Sequence, residues 1–222
     1  AVRFSLNSKE MEYYGLDLNI ENSNFRYFNG SLYFDQFSFK AAEGNYNLEG
    51  EISKLLDLPE LELKLMVDSA SVNSVLSSFS IIDPFRDELL LNGEADITGT
   101  VLEPEAAVNL NGNFSGFPES QFSLSGNIDN DLEIDIKGRD IWLDYTEERS
   151  AVKISAEGRA NFEGQIHGSI DYPLLRLKHN LDQIKINDTA VETVNGEIVF
   201  ENFSRFSSTE NISLKQGGNI YI

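Results

Sequence analysis

The feature that most constrains the fold is an alternation of apolar and polar residues with a period of two. In 61–68, the odd positions hold Leu, Leu, Leu and Val, and the even positions hold Glu, Lys, Met and Asp. The longest case runs from Ala160 to Ile170. Successive side chains of a β-strand point to opposite faces, so this pattern puts one face against apolar groups and the other in water. It predicts antiparallel strands rather than a parallel sheet that is covered on both sides.

The same pattern predicts about fifteen strands along the whole chain, separated by turn residues such as Asn29-Gly30 and Asn195-Gly196. Four of them lie near 61–68, 94–101, 132–136 and 159–170. The others are predicted at 2–7, 15–21, 25–40, 45–53, 106–114, 120–128, 139–146, 151–156, 174–187, 190–201 and 210–215. The sequence therefore predicts an all-β fold built on a long antiparallel sheet.

One segment departs from the period-two alternation and predicts a short helix at 69–82. Val72, Val75, Leu76 and Phe79 are spaced at i, i+3, i+4 and i+7, which places them on one apolar stripe of a helix. Asp68 or Ser69 is expected to cap its start, and the Asp-Pro pair at 83–84 is expected to end it.

A loose internal repeat accompanies the strands. Each unit has a glycine, five residues, a second glycine, and then a proline that precedes an apolar strand. The units start at Gly44, Gly93 and Gly158, and their prolines are Pro59, Pro104 and Pro173. Proline is tolerated where a strand begins because its missing N–H lies outside the hydrogen-bond ladder. Such a repeat is typical of a sheet that is built from several successive hairpins.

Composition excludes several classes of protein. Hydrophobic residues make up 41% of 222 residues, which is enough to bury a core and excludes an intrinsically disordered chain. Asp and Glu number 37 against 17 Lys and Arg, and the net charge of −20 repels nucleic acids and anionic membrane surfaces. We therefore expect no nucleic-acid partner. The sequence has no cysteine, which removes disulfides, thiolate metal sites and cysteine nucleophiles.

The sequence singles out no metal or catalytic site. The acidic stretch 129–135 does not fit an EF-hand calcium loop, because Ile134 stands where glycine is required and Asp140 where glutamate is required. The two histidines, His167 and His179, are predicted on different strands, each facing solvent or a polar neighbour rather than a metal. Phosphate-binding, dinucleotide-binding and serine-hydrolase motifs are missing. We therefore predict neither an enzyme nor a cofactor.

Four segments resemble the AsmA/TamB-like family of bacterial envelope proteins. They are GEADITGTVLEP at 93–104, its echoes at 44–59 and 158–173, and LELKLMVDSASVNSVLSSF at 61–79. The resemblance implies a long antiparallel sheet that curls into an open trough, the β-taco, with one short helix near 69–82. It also implies that 1–222 is a single β-repeat fragment of a longer periplasmic protein, which is anchored at the inner membrane elsewhere in its chain.

The function that this resemblance implies is the passage of phospholipids between the inner and outer membranes, in support of outer-membrane biogenesis. Members of the TamB type partner an outer-membrane barrel of the Omp85 type. Such a partner is therefore expected for parts of the protein that lie outside this chain.

An open sheet with one apolar face offers a groove in which acyl chains can lie, and burial of each CH₂ group there is favoured by roughly 0.8 kcal/mol. We predict that the groove is lined by the apolar members of the alternating strands. These are Leu63, Leu65, Val67, Ile97, Val101, Val108, Leu110, Phe114, Leu132, Ile134, Ile136, Phe162, Ile166, Ile170, Leu175, Leu177, Ile198 and Phe200.

Two other functions stay open at this point. In a structural or adhesive surface β-repeat module, the same apolar residues would form the closed core of a sandwich with no continuous groove. A carbohydrate-binding or carbohydrate-cleaving domain would need exposed aromatic residues grouped on one face. The local concentration of aromatics is Tyr13, Tyr14, Tyr27, Phe28 and Tyr33, and pairing of aromatics across a hairpin explains it equally well.

Overall fold

The computed structural model describes residues 1–6, 9–13, 16–21, 23–74, 87–149, 152–186, 189–201, 205–214 and 219–221. This part of the chain is nearly all antiparallel β-structure, in one long open sheet with a single short helix. The predicted all-β fold with a long antiparallel sheet is confirmed.

Sixteen strands lie in the described ranges. They are β1 (Val2–Leu6), β2 (Lys9–Tyr13), β3 (Leu16–Ile20), β4 (Ser23–Phe28), β5 (Ser31–Ala41), β6 (Gly44–Ser53), β7 (Glu60–Ser71), β8 (Leu89–Gly99), β9 (Pro104–Phe114), β10 (Phe117–Ile128), β11 (Asp131–Arg149), β12 (Val152–Ser169), β13 (Leu174–Ile186), β14 (Thr189–Glu201), β15 (Arg205–Leu214) and β16 (Asn219–Tyr221).

The strands follow one another through the sheet in nearly the order of the sequence. From one edge the order is β1, β4 and then β5 to β16, while β2 and β3 form a hairpin whose second strand pairs with β5. Within the described strands, β1 and β16 each have one neighbour, and no second sheet is present. Most sequential strands are joined by short connections, as antiparallel neighbours allow, while a longer segment, 72–88, joins β7 to β8.

Three predicted boundaries are wrong. The segment 25–40 is two strands, since Asn29 and Gly30 form a turn with φ of 51° and 80°, as in the primed turns that suit hairpins. Conversely, 132–136 and 139–146 belong to the single strand β11, and 151–156 joins the next predicted segment in β12.

The predicted helix at 69–82 starts later than expected. β7 continues to Ser71, and residues 72–74 are helical. The Oγ of Ser71 accepts a hydrogen bond of 3.2 Å from the backbone N–H three residues further on, so Ser71 is the N-cap. The caps predicted at 68–69 lie within β7 instead. Residues 75–82 of the predicted helix lie outside the described residues.

No helix within the described ranges has the length and hydrophobicity of a membrane span.

The prolines of the repeat lie where strands begin, as predicted. Pro104 is the first residue of β9, and Pro59 and Pro173 directly precede β7 and β13. A proline at the first position forms no ladder hydrogen bond through its nitrogen, so it marks the start of a strand without weakening its interior.

The chain divides into two compact units. Unit 1 comprises Ala1–Ile82, Leu90–Asn111 and Ser125–Asn130, and unit 2 comprises Asp83–Leu89, Gly112–Leu124 and Asp131–Ile222. In unit 2, Ile184, Val191 and Val194 form a buried cluster against which Leu181 packs.

Candidate functional site

The apolar residues of β6, β7 and β8 share one face of unit 1. The register pairs Leu65 with Leu48 and with Ala95, and it pairs Leu63 with Ile97. Directly opposed residues of antiparallel strands point to the same face, so these side chains form one continuous apolar surface. The predicted groove residues that this surface brings together are Leu63, Leu65, Val67 and Ile97.

An aromatic cluster extends the apolar surface of unit 1 across β4, β5 and β6. The rings of Phe25 and Phe34 meet edge to face with centroids 5.5 Å apart, and Phe39 stacks on Tyr46 at 4.9 Å. Phe37 lies between them, 5.5 Å from Phe25 and 5.8 Å from Phe39. Such pairs stabilise the sheet beyond the burial of their area. The period-two alternation does not predict this cluster.

A β-bulge explains why strict alternation missed these aromatic residues. The register of β5 against β6 shifts between Phe34, which pairs with Gly50, and Phe37, which pairs with Leu48. Gly50 and Leu48 are two residues apart and so lie on the same face. The extra residue of the bulge therefore places an even-numbered and an odd-numbered phenylalanine on one surface. The density of phenylalanine between 25 and 39 is the signal that could have revealed the cluster.

The predicted groove residues of β11 to β14 share one face of unit 2. One row across these strands consists of Ile134, Ile166, Leu175 and Phe200, and the next consists of Ile136, Gly164, Leu177 and Ile198. Leu132 pairs with Gly168 at one side of these rows. On the other side the ring of Phe162 covers Gly138, and its centroid lies 6.3 Å from that of Phe122 on β10.

The predicted residues of β9 also lie on its less exposed face. Val108 and Leu110 are half-buried in unit 1, and Phe114, which belongs to unit 2, is 3% exposed. Their neighbours along the strand, among them Asn109 and Asn113, are exposed. The alternation of β9 is therefore confirmed residue by residue.

Two predicted groove residues do not lie on a strand face. β8 ends at Gly99 and β12 ends at Ser169, so Val101 and Ile170 fall in the connections that follow. Val101 is 52% exposed and Ile170 is 58% exposed. Their alternation with the preceding strand is coincidental, because the chain has already turned when it reaches them.

The large apolar side chains of unit 1 remain partly accessible to solvent. In the described part of this unit, the buried hydrophobic residues are all alanines, Ala41, Ala70 and Ala95. Leu63, Leu65 and the other large residues of the surface are half-buried. The inward residues of a sandwich are sealed by a second layer about 10 Å away. The described strands of unit 1 belong to one sheet, and its large apolar side chains keep accessible area to which an apolar ligand can bind.

The opposite face of unit 1 is polar and carries exposed ion pairs. Lys64 on β7 lies 2.7 Å from Glu94 on β8, and Lys40 lies 2.8 Å from Glu21. Exposed pairs of this kind contribute little to stability, but they keep this face hydrated and soluble. The hydrogen bond to Glu94 raises the pKa of Lys64, which therefore stays charged.

An exposed arginine on this face sets the ionisation of a carboxylate. Arg26 donates two hydrogen bonds to Asp35, one of them 2.6 Å from Nη2 to Oδ1, and these bonds lower the pKa of Asp35. We expect Arg26→Ala to raise the pKa of Asp35 towards its ordinary value, measured by NMR titration of the carboxyl carbon. A depressed pKa stabilises the fold above the unfolded pKa, and this contribution is lost as the pH falls through the folded value. The matched variant Lys64→Ala should leave Asp35 unchanged, and an equal shift in both variants would contradict this cause.

The two histidines lie on different strands, β12 and β13, as predicted. Nε2 of His179 lies 3.1 Å from Oε1 of Glu210, so His179 faces a polar neighbour as expected. Within the described residues, no group of three or more His, Cys, Asp and Glu side chains could hold a metal ion.

A shallow groove of about 410 Å³ lies on the polar face of unit 2. Its residues are Asp135, Lys137, Glu163, Gly164, Gln165, Arg176, Lys178 and Glu197. Lys137, Glu163, Lys178 and Glu197 follow one another across four strands, so the charges alternate in sign. Alternating charges cancel over a short distance, which is typical of a hydrated outer face rather than of a binding site for an ion.

Comparison of this chain with protein-family models, with curated proteins and with solved structures finds no match. The resemblance to AsmA/TamB-like proteins therefore stays a prediction that rests on the segments quoted above. The apolar surfaces of the two units are the feature from which a function can be argued.

Proposed function

We propose that this chain is a periplasmic segment of a lipid-conducting envelope protein, and that its apolar surfaces carry the acyl chains of phospholipids. The observation that carries the proposal is the surface of unit 1, where large apolar side chains continue from strand to strand and remain half-buried. A soluble protein rarely leaves such a surface uncovered without an apolar partner.

The energetics favour an acyl chain as that partner. Each buried CH₂ group contributes roughly 0.8 kcal/mol, so a chain that lies along the surface gains affinity from length alone. Acyl chains need no hydrogen bonds, and the surface of β6 to β8 offers leucine, isoleucine and alanine rather than polar side chains. The charged residues on the opposite face keep the sheet soluble while lipid is bound.

The resemblance to AsmA/TamB-like proteins supports the cellular setting of this proposal. It favours a full-length protein that is anchored at the inner membrane and that moves phospholipid to the outer membrane during outer-membrane biogenesis. An outer-membrane barrel of the Omp85 type is the partner proposed for parts of the protein outside this chain.

Photo-crosslinking in cells tests the proposal directly. We expect p-benzoylphenylalanine at Leu65 or Ile136 to form adducts with phospholipid, because both residues lie on apolar surfaces and are half-buried. The matched positions are Met66 and Lys137, which are the next residues on the same strands and point to the opposite face. Lipid adducts at Leu65 and Ile136 that are no more frequent than at the matched positions would contradict the proposal.

The alternative function is a structural or adhesive surface module. It predicts that the chain binds no lipid, so native mass spectrometry after mild extraction would give the mass of the polypeptide alone. We expect additional species at the mass of one or more phospholipids.

A further inference from the structure

Three connections of unit 1 lie side by side at one end of its strands. They join β4 to β5 at 29–30, β6 to β7 at 54–59, and β8 to β9 at 100–103. The strands β4 to β9 are consecutive neighbours in the sheet, and antiparallel neighbours alternate in direction. Every second connection along the chain therefore falls at the same end of the strands, and these three form a row there.

Backbone hydrogen bonds hold the three connections together. The N–H of Leu55 donates to the carbonyl oxygen of Gly30 over 3.0 Å, which joins the second connection to the first. The N–H of Val101 donates to the carbonyl oxygen of Pro59 over 3.0 Å, which joins the third to the second. The row is therefore one continuous structure rather than three independent loops.

Large apolar side chains project from this row into solvent. We call them the apolar rim, and they are Phe28, Leu56, Leu58, Val101 and Leu102, all of which are exposed. Single exposed apolar residues are common on proteins, but a group of them in adjoining connections marks an interaction site. At the other end of unit 1, the described turn between β5 and β6 holds Ala42 and Glu43 instead. The exposed apolar groups are thus concentrated at one end of these strands.

The apolar rim borders the apolar surface of unit 1. Leu32, Ile52 and Leu61 form a cross-strand row on β5, β6 and β7, next to the connections. All three side chains are half-buried. Leu61 points to the same face as Leu63, two residues further along β7. Apolar groups therefore continue from the rim on to the surface that we propose binds acyl chains.

The geometry and charge of the rim restrict what can cover it. The side chains of Leu56 and Leu102 are 91% and 79% exposed, so they project freely instead of lining a pocket for the side chains of a protein partner. A fluid hydrocarbon layer needs no complementary shape, and apolar side chains at a bilayer surface enter the boundary between head groups and acyl chains. Asp57 and Glu103, which are exposed beside them, disfavour an anionic membrane surface.

We propose that the apolar rim docks unit 1 on the surface of a neutral phospholipid bilayer, where acyl chains pass on to the apolar surface. This inference rests on the proposed function, because it names the place at which phospholipid reaches that surface. Docking requires no rearrangement of the strands, since the rim is already exposed and its connections are held by backbone hydrogen bonds.

Flotation of the 222-residue chain with vesicles of dioleoylphosphatidylcholine measures docking. We expect Leu56→Ser with Leu102→Ser to lower the affinity for the vesicles at least about tenfold, because two side chains no longer bury hydrocarbon in the bilayer. Both residues are exposed, so the double variant is expected to fold. The control Met66→Ser, which removes an exposed apolar side chain from the polar face of β7, should keep the affinity. Vesicles of dioleoylphosphatidylglycerol should bind less of the natural chain.

A fluorophore on the rim identifies what covers it. The chain has no cysteine, so Leu102→Cys and Met66→Cys each accept a single environment-sensitive label. With vesicles, the emission of the label at position 102 should shift to the blue and be quenched by brominated acyl chains, because the label enters hydrocarbon. The label at position 66 should show neither change.

The outcomes separate this inference from the proposed function. A natural chain that does not bind the neutral vesicles, that binds the anionic ones more tightly, or that binds no better than the double variant overturns docking through the rim. A blue shift at position 102 that grows with protein concentration without vesicles also overturns it, because a second copy of the chain would then cover the rim. Failure of the natural chain to bind a fluorescent acyl probe counts against the proposed function, which the vesicle assay does not test.

Discussion

Gly50→Ala is expected to lower the free energy of unfolding of unit 1 by about 3 to 5 kcal/mol. Gly50 lies inside β6 with φ of 124°, a backbone conformation that residues with a side chain rarely adopt. An alanine Cβ would also overlap the carbonyl oxygen of Glu62 on β7 and lie 2.9 Å from Cα of Leu63. Because backbone atoms cannot rotate away as a side chain can, β6 and β7 would have to separate. Urea denaturation followed by circular dichroism measures the change.

Gly30→Ala is the matched control for this prediction. Gly30 also has a positive φ, 80°, but nothing lies within 4 Å of the position of a Cβ atom there. The control therefore carries the conformational cost alone, about 1 kcal/mol. Equal destabilisation by the two variants would show that the approach of β6 to β7 contributes nothing.

Leu177→Asp is expected to weaken the binding of an acyl chain to unit 2 by more than about tenfold. Leu177 lies in the middle of the apolar surface, between Gly164 on β12 and Ile198 on β14. An acyl chain above this position would strip water from the new carboxylate, and an unpaired charge resists that transfer by several kcal/mol, on the order expected for buried ions. The dissociation constant of a fluorescent acyl probe is the measurement.

Lys178→Asp is the matched control, since Lys178 is the next residue of β13 and is exposed on the opposite face. It changes the net charge by two units rather than one, which makes it the more stringent comparison. We expect its affinity for the probe to stay within about twofold of the natural chain, well below one hydrogen bond in free energy. A similar loss of affinity in both variants would point to net charge rather than to the apolar surface as the cause.

Period-two alternation predicted the strands well where the pairing is regular. Leu63 and Leu65 of β7, and Ile134 and Ile136 of β11, share the predicted faces because no extra residue interrupts their register. Turn chemistry was equally informative at Asn29-Gly30, where the positive φ of both residues joins β4 to β5.

The sequence was uninformative wherever a bulge changes which residues face the apolar side. In β11 the register shifts between Gly138 and Ile141, so the apolar face passes from even-numbered to odd-numbered residues within one strand. Read as a strict alternation, this strand looks like two. The contact between His179 and Glu210 could not be predicted from the sequence either. It depends on the register of three strands and on the lack of a side chain at Gly196.

The bulges also affect how this chain should be compared with others. The stretches on either side of the shift between Gly138 and Ile141 obey the alternation with opposite phase, because β11 has one extra residue there relative to β12. An inserted or deleted residue that matches a bulge changes the local pairing without exchanging inner and outer side chains. Gaps in an alignment of homologous sequences therefore belong at the bulges as well as in the turns, and homologues of such a sheet can share a fold while their sequences fall out of phase.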